Sequence, residues 1–435
     1  MKIIFHGAAQ EVGKSCIEII SQGQRYILDA GVKFIHKGVE YPKYLDKVSE
    51  LDALFLSHAH MDHSGALPML EHKHLKCPIY CTPLTWEITN LLLDDGYHLE
   101  KLRNVHPAYT MRDVRAVKDD VRFVRYSKWY ETPDKKVKFQ YINAGHIPGS
   151  ASILLELEGK RVLYGADINT EETLLMEPSM LEKLEFDKPI DVFITENTYG
   201  NRMHPPKEES QEGFIESINE CIKNGGSALL PVFGVGRSQE ILILLHKLPK
   251  NIPIYLDGMA RSLTKLMLQS SDPHVNNRDL LEEVFHRVHI VKHPSERNKI
   301  AKMRGVVIVS TSGMLQGGPS VGYAEKMIGN ENNFIILSGY QANGTNGRSM
   351  FEDHMFYAHH QTFKVKAHVR KFDFSAHLGQ DHIHKVMTNI QAKTVLLQHG
   401  DLEALEAVKY WADNHTTELE SKVVIPKIGE VLEFD

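Results

Sequence analysis

The sequence predicts a layered α/β fold into which a second, smaller parallel sheet has been inserted. Three observations lead there. Six short apolar runs each end in a turn carrying Asp, His or Glu. A middle stretch changes to strand, glycine loop and helix units. The last of the six runs lies beyond that stretch, so the first pattern resumes after the second has ended.

The six runs come in order. Tyr26-Ile27-Leu28 leads to Asp29, and Leu54-Phe55-Leu56 leads to Ser57-His58-Ala59-His60-Met61-Asp62-His63. Phe139 to Ile142 leads to Ala144-Gly145-His146, and Val162-Leu163-Tyr164 leads to Gly165-Ala166-Asp167. Val192 to Thr195 leads to Glu196, and Val395-Leu396-Leu397 leads, after Gln398, to His399. Continuous apolar runs of this length are what strands buried on both faces look like. In layered α/β folds ligands gather beyond the strand ends. The pattern predicts one metal-rich cleft.

In the middle, Ala228 to Val232 precedes Phe233-Gly234-Val235-Gly236-Arg237 and a helical pattern. Val306 to Val309 precedes Ser310-Thr311-Ser312-Gly313-Met314, and Phe334 to Leu337 precedes a loop running from Gly339 to Arg348. These units are typical of a small parallel sheet. The proline-rich, charged stretch His204 to Glu209 marks its entrance, giving expected domains of 1–204, 205–356 and 357–435. Ser312, Gly313, Arg237, Gly344 and Arg348 are the candidate phosphate contacts, through backbone N–H groups and fixed charge.

Length and composition bound the rest. A chain of 435 residues suggests two or three domains, and 42% hydrophobic with 24% charged residues is globular. Apolar stretches fall short of the ~20 residues that cross a bilayer. The start, Met1 to Gly7, lacks the features of a secretion signal, so a soluble cytoplasmic protein with no membrane partner is expected. Cys16, Cys77, Cys81 and Cys221 have no paired spacing and read as buried reduced thiols. The net charge of -6 does not suggest nucleic acid, yet 101–128 holds eight Lys/Arg against three Asp. Lys364, Lys366, Arg370 and Lys371 form a second basic stretch. Histidine, at 25, is the unusual count and needs a cause.

His58-x-His60-x-Asp62-His63 supplies one. Zinc prefers imidazole nitrogen and carboxylate oxygen at about 2.0–2.2 Å, and a catalytic site leaves room for water. An extended turn sends His58 and His60 toward one point, while Asp62 and His63 can reach a second. Two metals about 3.5–4 Å apart are a standard clamp for phosphodiester hydrolysis. Asp167 reads as the bridging carboxylate, and Asp29 as a residue that orients a ligand histidine. The donor set suits Zn2+, two per chain, with Mn2+ as an alternative in solution.

Asp29, HAHMDH, AGHIPGS and GADIN, in that order, resemble the motifs of the metallo-β-lactamase superfamily. TENTYGNR, FGVGRSQE, TSGML with GGPS, GYQANGTNGR, FDFSAHLGQ and LLQHGD resemble its β-CASP nuclease branch, which includes the cleavage and polyadenylation specificity factor endonuclease. The resemblance covers nearly the whole chain. It implies an αββα sandwich with an inserted β-CASP α/β domain, a small parallel sheet flanked by helices. It also implies one zinc on His58, His60 and His146, a second on Asp62, His63 and His399, and Asp167 bridging both. Asp62, His377, Glu196 and Asp29 form the implied catalytic set, with His377 near the scissile phosphate and Glu196 orienting it. Departures are Leu378-Gly379 after Ser-Ala-His, Asn346 where Leu is usual, and Asp401 where Glu often follows His-Gly.

The function expected is a zinc-dependent ribonuclease acting on single-stranded RNA, as endonuclease or 5′→3′ exonuclease. In-line attack by a metal-bridging hydroxide leaves 5′-phosphate and 3′-hydroxyl ends. A homodimer, or membership of an RNA-processing or decay complex, is a family-level expectation. The rival readings are a DNA-processing β-CASP nuclease, a small-molecule metallo-hydrolase and a non-catalytic scaffold.

Overall fold

The structure, a computed structural model, describes residues 1–35, 38–102 and 107–435, so the basic segment read at 101–128 lies partly outside the described residues. The chain divides into two compact units. The first comprises Met1–Glu172, Met176–Met203 and Ala376–Asp435; the second comprises Thr173–Leu175 and His204–Ser375.

Two seven-stranded sheets form the first unit. One runs in spatial order Val431–Glu433, Lys2–Phe5, Ile17–Ser21, Gln24–Leu28, Ala53–Phe55, Ile79–Cys81, Val121–Phe123. The other runs Lys422–Val424, Thr394–Gln398, Val192–Glu196, Lys160–Tyr164, Ala151–Leu157, Lys138–Asn143, Trp129–Glu131. Each mixes parallel and antiparallel pairs. Gln24–Leu28 lies parallel to Ala53–Phe55, and Lys160–Tyr164, Val192–Glu196 and Thr394–Gln398 are mutually parallel neighbours. Parallel neighbours finish at the same edge, and the ligand-type turns follow those ends.

Side-chain alternation explains why the runs are apolar throughout. Tyr26, Leu28, Phe55, Val192 and Ile194 belong to the cluster between the sheets. Their neighbours Ile27 and Leu54 belong to a second cluster, with Leu67, Leu70, Val114 and Val117 of helices Leu67–His72 and Met111–Asp120. Phe193, with Leu163, Val395 and Leu397, meets Ile383, Val386 and Met387 of helix Gln380–Ile390 and Leu405 and Val408 of helix Leu402–Asn414. Helices thus cover the outer face of each sheet, giving an αββα sandwich. Between the sheets, Phe55 sits 5.5 Å from the Tyr80 ring and 4.9 Å from that of Phe139. Burying such a side chain contributes about 1.5–3 kcal/mol.

The second unit holds a six-stranded sheet in the order His289–Ile290, Ile254–Asp257, Val307–Ser310, Ala228–Pro231, Phe334–Ser338, His368–Phe372, with every pair parallel. The strand–glycine-loop–helix reading is met here: helix Arg237–Leu244 follows the central strand, and helix Gly318–Met327 follows its neighbour. All four cysteines are free and buried, and burial pushes the Cys77 and Cys221 thiols up to about 12.

One backbone contact fixes the metal-type turn. Ala30 N–H donates to the His63 carbonyl at 2.7 Å, and Val32 N–H to that of Met61 at 2.9 Å. Between them, a Cβ on Gly31 would stand 1.6 Å from the Asp62 carbonyl oxygen. Only glycine permits this approach. Replacing Gly31 by Ala should cost about 3 kcal/mol, the upper end for overpacking against a backbone that cannot yield. Chemical denaturation would read the loss; stability within 0.5 kcal/mol of the parent, a threshold of about the usual surface effect, would contradict it.

Candidate metal centre

Six strand ends deliver the side chains. Asp29, Ala166 and His399 all take left-handed backbone conformations, with φ of 58°, 55° and 50°. These turns redirect the chain as it leaves Gln24–Leu28, Lys160–Tyr164 and Thr394–Gln398. Gly145 reverses the chain before His146: its φ is +68°, and a Cβ there would lie 2.3 Å from the Asn169 carbonyl oxygen.

Asp167 is the centre of the group. Its Oδ2 lies 3.6 Å from His58 Nε2, 3.4 Å from His63 Nε2 and 3.6 Å from His146 Nε2, and its Oδ1 lies 3.4 Å from His399 Nδ1. His60 Nδ1 is 3.1 Å from His146 Nε2, and Asp62 Oδ2 is 3.4 Å from His399 Nε2. Among the described residues four overlapping donor sets result, each with its ligand atoms within 4.8 Å of one another: His58, His60, His146 and Asp167; Asp62, His63 and His399; Asp29, His58 and His63; and Asp167, Glu196 and His377. His58, His63, His146, Asp167 and His399 are buried.

These atoms fit a cation. His58 Nε2, His63 Nε2 and Asp167 Oδ1 are buried without a hydrogen-bond partner, which is costly unless something else satisfies them. Two ligands each about 2.1 Å from a tetrahedral ion stand about 3.4 Å apart. The four separations around Asp167, 3.4–3.6 Å, lie close to that value. Nitrogen and carboxylate donors of this kind suit a divalent metal.

Electrostatics describes the same crowd. Burial, then the His63 charge, holds His58 well below the usual imidazole range; burial, then His377, does the same to His146. Burial opposes protonation of His63, but Asp167 and then Asp29 overcome it and push the ring upward. Burial would raise Asp62 and Asp167, yet His399 with His63 holds both carboxyls low. His58 and His146, which shed protons beside carboxylates that keep their charge, are prepared for a cation, while His63 is held protonated by its two carboxylates.

Around the donors stands a ring of hydrogen bonds. His63 Nδ1 meets Asp29 Oδ2 at 2.7 Å, a hydrogen bond rather than a ligand–ligand spacing. His146 Nδ1 donates to the Ala376 carbonyl at 2.7 Å. His377 Nδ1 lies 3.0 and 2.9 Å from the two Glu196 oxygens and 4.0 Å from Asp167 Oδ2. Glu196 is fully buried and also accepts from Ile168 N–H at 2.9 Å and Thr198 Oγ1 at 2.6 Å. Burial disfavours the His377 cation, but Glu196, then Asp167 and Asp62, raise it to about 9.

Every metal-type residue read from the sequence therefore falls in this group, with Asp29, Glu196 and His377 around it. The hydroxyls of Ser15, Ser57, Tyr164 and Thr198 join the same hydrogen-bond network without having been singled out. A hydroxyl carries no motif of its own. The only signal was position: Ser57 opens the His-rich turn, and Tyr164 ends the strand leading to Asp167.

The phosphate-type residues lie in the second unit and only partly gather. A Cβ on Gly313 would meet Phe233 N at 2.9 Å, and one on Gly339 would stand 3.9 Å from Arg237 Nε, so these loops adjoin. Ser312 Oγ donates to the Gly317 carbonyl at 3.2 Å. Gly344 gives its carbonyl to Gln316, and Arg348 is turned to Glu352 at 2.9 Å. Asn346 explains its own departure from leucine: it bonds the carbonyls of Leu315 and Tyr357 and the Tyr357 N–H, tying two segments together. In the second basic stretch, Arg370 bonds Ser217 and Glu220 and covers the Phe334 ring. Among the described residues no helix is long and apolar enough to cross a membrane.

Comparison with known proteins agrees with this architecture. Residues 21–198 match the metallo-beta-lactamase superfamily domain, 238–350 the Beta-Casp domain and 362–426 the Zn-dependent metallo-hydrolase RNA specificity domain. "Probable RNase MJ4" of Methanocaldococcus jannaschii is 37% identical over 99% of both chains. "RNase aCSPSF2" of Saccharolobus solfataricus is 32% identical over 98% of this chain and 83% of its own length. "Cleavage and polyadenylation specificity factor 73" of Drosophila melanogaster is 28% identical over 93% of this chain and 60% of its own length. A crystal structure of a protein of unknown function from Enterococcus faecalis V583 shares the fold, with a TM-score of 0.60 and 14% identity over 99% of each chain. From the three matched domains and a relative 37% identical over 99% of both chains, the chain belongs to the β-CASP branch of the metallo-β-lactamase superfamily.

Proposed function

We propose that this protein is a ribonuclease that hydrolyses phosphodiester bonds of single-stranded RNA with two Zn2+ ions, in RNA processing or decay in the cytoplasm. The observation that carries the reading is Asp167 at the meeting of two donor sets, with His377 tied to Glu196 beside it. Two relatives named RNases, matched over 99% and 83% of their own lengths, support the substrate class.

In this reading His58, His60 and His146 would hold one ion and Asp62, His63 and His399 the other, with Asp167 available to either. When bound, the pair supplies positive charge that acidifies water and offsets charge developing on the phosphate. The chain's own residues do the rest. Asp29 orients His63, and the Ala376 carbonyl orients His146, so that each Nε2 faces inward. Glu196 takes the Nδ1–H of His377 and keeps the ring protonated, so Nε2–H remains as its donor toward substrate. His377 gives its proton to the departing 3′ oxygen as water becomes bonded to phosphorus, so the products carry 5′-phosphate and 3′-hydroxyl ends. In the second unit, Arg237 and the Ser312-Gly313 backbone contact the RNA phosphates.

Single-stranded RNA labelled at either end, run beside DNA of the same sequence, tests the reaction. Cleavage of the RNA to 5′-phosphate products is expected, abolished by chelation and by His60→Ala. Cleavage that survives both, or a preference for DNA, would overturn the reading.

His377→Ala should keep both zincs and lose about 10²–10⁴-fold in turnover, the usual worth of a positioned proton donor. Metal analysis beside single-turnover kinetics decides; zinc lost with the imidazole would instead make His377 a ligand.

A further inference from the structure

We infer that Tyr164 is a positioning residue for both metal positions, acting through Asp29 and Ser57. Nothing in its residue type or its neighbours in sequence assigns it that role; the hydrogen bonds do.

Asp29 is fully buried and accepts four hydrogen bonds, the capacity of a carboxylate. Ser57 N–H donates to Oδ1 at 2.7 Å. Oδ2 receives Ser57 Oγ at 2.6 Å, His63 Nδ1 at 2.7 Å and the Tyr164 hydroxyl at 2.7 Å. Because the single Ser57 hydroxyl proton goes to Asp29, Ser57 Oγ can only accept from His58 Nδ1, 3.0 Å away. Both rings therefore hold a proton on Nδ1, which leaves Nε2 as the atom of each that is turned to the cation position. Those two Nε2 atoms are among the ones left without a hydrogen-bond partner. One carboxylate thus orients an imidazole for each of the two proposed ions: His63 directly and His58 through Ser57.

Tyr164 decides how that carboxylate sits. Its phenol proton is committed to Asp29, so Ser15 Oγ, 3.1 Å from the phenol oxygen, must donate to it. Ser15 is in turn held by its own N–H on the Asp62 carbonyl at 2.7 Å. A buried line from Ser15 through Tyr164 to Asp29 closes a loop around the metal-type turn. Without the Tyr164 hydroxyl, Oδ2 loses one of three bonds and the carboxylate can rotate, taking both imidazoles with it. Partners of this kind around a metal are worth about 10–100-fold in affinity.

The inference rests on reading the centre as a metal site, and its test separates the two. Zinc affinity is measured by competition with a chromogenic chelator for the whole protein, Tyr164→Phe and Ser57→Ala. The d–d absorption of the Co2+-loaded forms is recorded beside it. Both variants should bind zinc about 10–100-fold more weakly and shift the Co2+ band, while the circular dichroism and melting of the chelated proteins stay close to the parent's. Ser57→Ala removes a single oxygen atom and decides the matter if Tyr164→Phe does not fold. Zinc affinity within twofold of the parent, a difference of about 0.4 kcal/mol, with any change confined to stability, would overturn the positioning role. A parent protein that takes up no zinc would overturn the metal reading beneath it.

Discussion

The structure turns on one buried carboxylate. Asp167 sits among the rings of His58, His63, His146 and His399, with Oδ1 lacking a hydrogen bond and Oδ2 held 3.4–3.6 Å from three imidazole nitrogens. Charge and lone pairs buried this way cost several kcal/mol unless a counter-ion satisfies them. Such a centre exists only where the surrounding fold is rigid enough to hold donors together before the cation arrives. The sandwich supplies that rigidity. Three apolar clusters, one between the sheets and one outside each, fix the strand ends from which the ligands depart.

The consequence is a division of labour along each strand. Residues within it alternate between two cores, and residues just past its end join the donor group. Left-handed turns at Asp29, Ala166 and His399 mark the switch between the two duties. The same logic accounts for Gly31, whose missing side chain lets one strand end lie against the turn of another. Removing a core residue and removing a ligand are therefore different injuries, even though they can be adjacent in sequence.

Much of this was legible in the sequence because it depends on spacing. HxHxDH packs four donors into six residues where a strand gives way to helix Met61–Ser64, and apolar runs ending in Asp, Glu or His could be read as strands feeding one edge. The inserted parallel sheet was legible from its glycine loops. What stayed hidden depends on through-space pairing between common residue types. Ser15, Ser57, Tyr164 and Thr198 look ordinary until the fold brings together positions as distant as 15 and 164. Asn346 looked like a departure from pattern and is instead a buried connector of two loops. Arg348 and Arg370 read as phosphate-type charges, yet each has an acidic partner, Glu352 and Glu220.

Anomalous diffraction from zinc-grown crystals tests the central claim most directly, because it locates cations without reference to activity. Two peaks are expected, about 3.5–4 Å apart. One should lie about 2.0–2.2 Å from His58, His60 and His146 atoms and the other from those of Asp62, His63 and His399, with Asp167 touching both. Crystals whose anomalous map is flat around Asp167, or peaks only at surface histidines, would contradict the account.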